Sequence, residues 1–117
     1  MIFVGNDIVE VSRIKQFIED YDQKFLDKVF TGDEQAFCNK RTNRFIHFSG
    51  RFAAKEAVKK IFLQIKSQPI PLKLIEIKRN PDCPPQVFLE SKLQTNMSIS
   101  ISHTENYATA IAILEKK

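Results

Sequence analysis

The stretch Arg51-Phe52-Ala53-Ala54-Lys55-Glu56-Ala57-Val58-Lys59-Lys60 sorts into separate faces when it is projected at the helical angle. Ala54, Val58, Ile61, Phe62 and Ile65 fall on one side with the spacing of a core-facing helix. Arg51, Lys55 and Lys59 run along another side, one turn apart. Glu56 and Lys60 form a third line beside the small residues Ala53 and Ala57. A helix without bulk at that place lets a strand or a ligand approach its backbone. In isolation Glu56 and Lys60 make a surface i, i+4 pair worth about 0.2–0.5 kcal/mol. The rest of the chain gives them another use.

Before this helix, Ile2 to Asn6 reads as a short strand that Gly5-Asn6-Asp7 breaks. Asp7 and Glu10 have the spacing of a capping box. The helix after them buries Val11, Ile14, Phe17, Ile18 and Tyr21 and turns Arg13, Lys15 and Gln16 outward. Asp22 is placed to cap a short helix whose apolar face is Phe25, Leu26, Val29 and Phe30. Thr31-Gly32-Asp33-Glu34 is a second capping box and opens a helix through about Lys40. Arg41 to Phe48 leads to the central helix, which Ser49 caps unless the connection is itself helical. The central helix continues through Leu63 to Gln68 until Pro69 and Pro71 stop it.

After Pro71 the pattern changes. Leu72 to Lys78 alternates as a strand, Asn80 to Pro85 is loop by composition, and Gln86 to Glu90 is a further strand. Ser91 to Asn96 is polar and turns the chain. Met97-Ser98-Ile99-Ser100-Ile101-Ser102 alternates strictly, serines on one face and aliphatic side chains on the other. His103-Thr104-Glu105-Asn106 forms a hairpin loop, and Tyr107 to Leu114 returns as a strand. Helices first and antiparallel strands later define an α+β class.

The 117 residues suit one domain spanning 1–117, and a hydrophobic content of 43% excludes a disordered chain. No apolar run is long enough to cross a bilayer, and Met1-Ile2-Phe3-Val4 reads as strand instead of leader. Two cysteines, Cys38 and Cys83, lie far apart without metal-ligand spacing, which fits a reduced cytoplasmic protein. The net charge of +4 suits an acidic partner: nucleic acid, a phosphorylated ligand or an acidic protein. No nucleic-acid motif or aromatic stacking platform supports the first of these.

Asp7 closes the first strand, Glu56 sits on the central helix and His103 closes the serine-striped strand. Two carboxylates are too few to cage calcium but suit magnesium, which keeps waters and takes other ligands from a substrate phosphate. Arg51, Lys55, Lys59 and Lys60 supply the cations expected around phosphates.

Four segments, in order along nearly the whole chain, resemble holo-acyl-carrier-protein synthases, the small bacterial phosphopantetheinyl transferases. Val4-Gly5-Asn6-Asp7-Ile8-Val9-Glu10-Val11-Ser12-Arg13-Ile14 is similar to their first motif, and Val29-Phe30-Thr31-Gly32-Asp33-Glu34 with Cys38 to their second. Gly50-Arg51-Phe52-Ala53-Ala54-Lys55-Glu56-Ala57 with Lys60 matches the third and most specific. Ser100-Ile101-Ser102-His103-Thr104 followed by Tyr107-Ala108 matches the last. The resemblance implies a 4'-phosphopantetheinyl transferase-like α+β fold, helices packed on an antiparallel sheet. It implies transfer of phosphopantetheine from coenzyme A to a serine of apo acyl carrier protein, releasing adenosine 3',5'-bisphosphate, in support of fatty acid biosynthesis.

By the same resemblance Asp7 and Glu56 bind Mg2+, with Mn2+ as a substitute, and Asp7, Glu56 and Lys60 form the catalytic set. Arg51, Lys55, Lys60, His103 and Thr104 contact coenzyme A. The family's homotrimers hold the coenzyme between subunits, and Arg13 and Lys15 are placed to dock an acidic carrier. Two departures stand out. Asn6 occupies a position that usually carries a small aliphatic residue. Leu63-Gln64-Ile65-Lys66-Ser67-Gln68 replaces a Gly-Thr-Gly loop whose backbone N–H groups would close around phosphate, with Lys66 or Ser67 as substitute donors. The alternative to an enzyme is a carrier-binding module of the same fold with an impaired grip on coenzyme A.

Overall fold

The long helix α4 spans Arg44–Lys66 and, at 23 residues, reaches about 34 Å. The computed structural model describes residues 1–66, 69–80 and 82–116. Ahead of α4 come strand β1 (Ile2–Glu10) and helices α1 (Val11–Tyr21), α2 (Gln23–Val29) and α3 (Gly32–Asn39). After it come a 3-10 turn (Leu72–Leu74) and strands β2 (Ile75–Lys78), β3 (Gln86–Leu89), β4 (Lys92–Leu93), β5 (Met97–His103) and β6 (Tyr107–Glu115).

The strands form two antiparallel sheets, ordered β1-β6-β5 and β2-β3-β4. In the first, Asp7 lies opposite Ala110, which in turn lies opposite Ile101. Strand alternation sends Gly5, Val9, Ala108, Ala110, Ala112 and Ile99 toward α4, and all are buried. On the helix, Ala53, Ala54, Ala57, Val58 and Ile61 are buried against them, and the same cluster takes in Ile75, Ile77 and Val87 of the second sheet. Gly5 is required here: a Cβ at that position would collide with the carbonyl oxygen of Ala57 and stand 3.2 Å from Cγ1 of Ile61. The small-residue side of the helix therefore receives a strand. The opposite face of the sheet leaves Ile2, Val4, Ile8, Tyr107, Ile111 and Ile113 exposed.

Several local expectations are corrected. β1 does not break at Gly5-Asn6-Asp7 but runs to Glu10, and no Asp7–Glu10 capping box forms. Glu10 is the N-cap of α1 without a side-chain bond, and the N–H of Val11 donates instead to the carbonyl of Asn106 at 2.8 Å. Pairing of Glu10 with Tyr107 extends the ladder, so strand pairing prevails over a local cap. Asp22 precedes α2 at φ 50° with no side-chain cap bond. Tyr21 is exposed, leaving Val11, Ile14 and Ile18 as the buried stripe of α1.

Ser49 does not cap α4, because the connection is itself helical from Arg44; its hydroxyl donates to the carbonyl of Phe45 at 2.7 Å. Leu72–Leu74 forms a 3-10 turn before the strand, and the polar stretch after β3 includes β4. The box at Thr31 forms as its sequence predicts, Oγ1 accepting from the N–H of Glu34 and the Glu34 carboxylate accepting from the N–H of Thr31. Among the described residues no helix is long and apolar enough to cross a membrane.

Candidate functional site

Asp7 stands on the face of β1 that meets α4, two residues beyond the close contact at Gly5. There it shares a cavity of about 250 Å³ with Glu56, lined also by Arg13, Ile14, Phe17 and Phe52. Lys60, one turn after Glu56, donates to the carbonyl oxygen of Asn6 at 2.8 Å and to Oδ1 of Asp7 at 3.2 Å. One turn further, Gln64 donates to the carbonyl of Val4 at 3.0 Å. Two carboxylates and a lysine thus converge where strand and helix touch. Among the described residues no third His, Cys, Asp or Glu joins Asp7 and Glu56. Such a donor set suits a hard cation that completes its shell with water and phosphate oxygens.

Arg51 leaves α4 about 140° around the axis from Glu56. It is only 5% exposed, yet among the described residues its Nε has no hydrogen-bond partner and no carboxylate pairs with it. Its guanidinium carbon lies 4.1 Å from the centre of the Phe37 ring, over which Arg41 also sits at 4.0 Å. A cavity of about 620 Å³ opens here, lined by Arg51, Arg41, Lys40, Arg79, His47 and Phe37. A second, of about 290 Å³, shares Arg51, His47 and Arg79 and adds His103, Pro84 and Pro85. Burial, then the neighbouring arginines, hold the His47 imidazole below its usual range. Burial also lowers the Arg51 guanidinium. A cluster of cations around a buried guanidinium with no carboxylate partner suits an anion, since isolating a buried charge costs several kcal/mol, although Asp33 also lines the cavity.

Lys55 does not belong to this cleft, contrary to the cationic line expected from the sequence. Its amino group is fully buried, 2.5 Å from Oε1 of Glu34, and donates to the carbonyls of Val29 at 2.8 Å and Leu72 at 3.1 Å. With those partners it is committed to the core. Thr104 is spent largely on the hairpin, its hydroxyl oxygen accepting from the N–H groups of Asn106 and Tyr107. Arg13 is exposed on α1 over the Phe17 ring at 5.7 Å, and Lys15 lies 5.6 Å over Phe45. Cys38 is buried and its thiol is pushed up to about 12, which leaves it inert.

The structure therefore gathers Asp7, Glu56, Lys60 and Arg13 on one flank of α4, and Arg51 with His103 on another. Phe37, Arg41, His47 and Arg79 were not anticipated. His47 had a legible signal, being one turn before Arg51, but only once α4 begins at Arg44 does that spacing become helical. α4 remains helical at Leu63–Lys66, where the resemblance implied a glycine loop in other members. The Lys66 side chain and Ser67, considered as substitute phosphate donors, lie outside the described residues, as does Pro81 of the proline loop.

The family model of the 4'-phosphopantetheinyl transferase superfamily matches residues 3–112. The holo-[acyl-carrier-protein] synthase of Chlamydia felis is 40% identical, covering 97% of this chain and 96% of that protein. That of Thermodesulfovibrio yellowstonii is 42% identical over 95% of this chain and 96% of its own. Among solved structures, the Chronobacterium ammoniagenes ACPS-CoA complex superposes with a TM-score of 0.84 at 27% identity, covering 100% of this chain and 98% of that one. Helicobacter pylori holo-[acyl-carrier-protein] synthase in complex with coenzyme A gives 0.80 at 26% identity, covering 97% and 100%. The chain belongs to the 4'-phosphopantetheinyl transferase superfamily, among the holo-[acyl-carrier-protein] synthases.

Proposed function

We infer that the protein transfers 4'-phosphopantetheine from coenzyme A to a serine hydroxyl of an apo acyl carrier protein, releasing adenosine 3',5'-bisphosphate. The observation that carries this reading is the convergence of Asp7, Glu56 and Lys60 at the β1–α4 contact. Asp7 and Glu56 fit magnesium or manganese, offering hard oxygen donors at one cavity while leaving room for phosphate oxygens. When bound, the metal supplies Lewis-acid stabilisation of the charge on the pyrophosphate. The serine oxygen bonds to the β-phosphorus as the bridging oxygen departs with the bisphosphate. Glu56 accepts the serine proton, directly or through a water. Lys60 is held by Asn6 and Asp7 as a placed cation at the rim, where a transferring phosphoryl group needs positioned charge.

Arg51 and His103 bind the phosphate-bearing nucleotide end of the coenzyme in the arginine-lined cleft. The catalytic group and this cleft leave different sides of α4, and the sheet exposes an apolar face at Ile2, Val4, Ile8, Ile111 and Ile113. We therefore propose a homotrimer in which one subunit's catalytic flank meets its neighbour's cleft. The helical Leu63–Lys66 segment lacks the loop N–H donors of related chains, so the cleft arginines carry more of the coenzyme's phosphate charge. Arg13 and Lys15 on α1 receive an acidic carrier beside the catalytic cavity. Such a reaction on carrier proteins of fatty acid synthesis belongs to the cytoplasm. Mass spectrometry of an apo carrier protein incubated with this protein, coenzyme A and magnesium tests the reading. A gain of one phosphopantetheine group on the serine is expected; an unmodified carrier while coenzyme A is bound would leave only a binding module.

A further inference from the structure

His47 lies at the junction of the two cavities that Arg51 lines, and its ring is turned edge-to-face against Phe37 (centroids 6.0 Å, 78°) and His103 (6.2 Å, 65°). Neither of its ring nitrogens is hydrogen-bonded to a protein group among the described residues. The charged and titratable groups around it are Arg51 on its own helix, Lys40 and Arg41 after α3, Arg79 after β2 and His103 on β5. Asp33 also lines the larger cavity, but it is turned to Lys78 at 3.3 Å. Among the described residues, then, no carboxylate pairs with the imidazole while several cations crowd it. Only an incoming anion changes that balance.

We propose that His47 is a ligand-binding residue of this cleft that gains a proton when a phosphomonoester occupies it, so that the ligand's arrival and proton uptake are one event. The inference rests on the assignment of coenzyme binding to this cleft. Without ligand, burial and then the arginines disfavour the charged ring and hold its proton affinity below the usual imidazole range. A dianionic phosphate beside Arg51 cancels that field and accepts a hydrogen bond from the ring, which raises the bound-state affinity for the proton. Between the free and bound proton affinities, binding takes up a proton from solvent. Ligand affinity therefore falls as pH rises through that window, by at most about tenfold per pH unit for a single proton. The imidazole provides what a further arginine would not: a donor without a fixed repulsive charge when the cleft is open.

The test is isothermal titration of the intact protein with adenosine 3',5'-bisphosphate at several pH values, in buffers of differing ionisation enthalpy. Wild-type protein should show net proton uptake and a falling affinity with pH; His47→Gln and His47→Phe should both flatten the dependence, the second while keeping the ring contacts. Coenzyme A should behave as the bisphosphate does, and 3'-dephospho-coenzyme A should bind without uptake. The histidine resonances followed by NMR in the same titrations should show His47 gaining the proton. A pH dependence that survives in both His47 variants but disappears in His103→Gln, or uptake of equal size with the dephospho ligand, would overturn the proposal. Binding of the bisphosphate without proton uptake would overturn it alone. Failure of the wild type to bind either bisphosphate or coenzyme A would overturn the transferase reading with it.

Discussion

Lys55 and Glu34 form an ion pair 2.5 Å apart with both side chains fully buried, although they come from different helices. Glu34 also accepts from the N–H groups of Thr31 and Ile77, and Lys55 donates to Val29 and Leu72, so one pair ties α3, α4, β2 and the connections between them. Burial pushes the Glu34 carboxyl up and the Lys55 ammonium down, while their mutual attraction opposes both shifts. Removal of one partner leaves the other charge in the core. Lys55→Met should destabilise the fold by about 3–5 kcal/mol, and Lys55→Met with Glu34→Gln should recover part of that loss. Urea denaturation of the single and double variants measures both.

Asp7→Ala should abolish most transfer, by orders of magnitude, with little change in stability. Because α1 is capped by backbone at Glu10, no cap is lost with the carboxylate. Activity should also disappear in excess chelator and return with magnesium or manganese. Chelator-resistant turnover in a carrier-modification assay would remove the metal assignment.

Lys60→Ala should depress turnover far more than Lys59→Ala, because only Lys60 reaches Asp7 and Asn6. Lys59 is turned from that line by about 100°. Equal losses in single-turnover rates would mean that the general positive field matters and the placed cation does not.

Arg13→Glu should raise the KM for carrier protein while leaving coenzyme affinity nearly unchanged. Arg13 is exposed and lines the catalytic cavity from α1, where an acidic partner would meet it. Wild-type association should slow with added salt, since exposed charges are screened beyond roughly 8–10 Å. Steady-state kinetics against each substrate, with the oligomeric state checked by light scattering, separates docking from a subunit contact.

Gly5→Ala should cost about 1–3 kcal/mol, the range for overpacking, because the added carbon strikes the Ala57 carbonyl. It should also lower turnover, as β1 is pushed off α4 two residues from Asp7. Thermal melts and transfer rates on the same preparation test the linkage.

Much of this was legible in the chain. The apolar face of Ala54, Val58, Ile61 and Phe62, the serine-striped strand and the Thr31 box all formed, because each depends on local spacing. The close-approach side of α4 was legible too, although its occupant, β1 at Gly5, was not. What escaped were the outcomes of competition over distance. The Asp7–Glu10 spacing is a good local cap, but a ladder to Tyr107 from the far end of the chain outweighs it. Lys55 resembled its neighbours Arg51 and Lys59 on the helical projection, and only the position of Glu34 draws it inward. The arginine cleft assembles from α3, α4 and two loops, so no single window of sequence contained it.

The side chains of Lys60 and Gln64 rest on the carbonyls of Asn6 and Val4 along β1, an edge strand of its sheet. An outermost strand with free carbonyls is a template on which stray extended chains polymerise. Here the helix lays two polar arms, Lys60 and Gln64, along that margin. The lysine we propose for the reaction thus also covers an open carbonyl of the sheet edge. If Lys60 acts as proposed, its variants should carry a colloidal penalty beside the chemical one, and Lys60→Ala combined with Gln64→Ala should form aggregates during refolding at concentrations where either single variant stays clear.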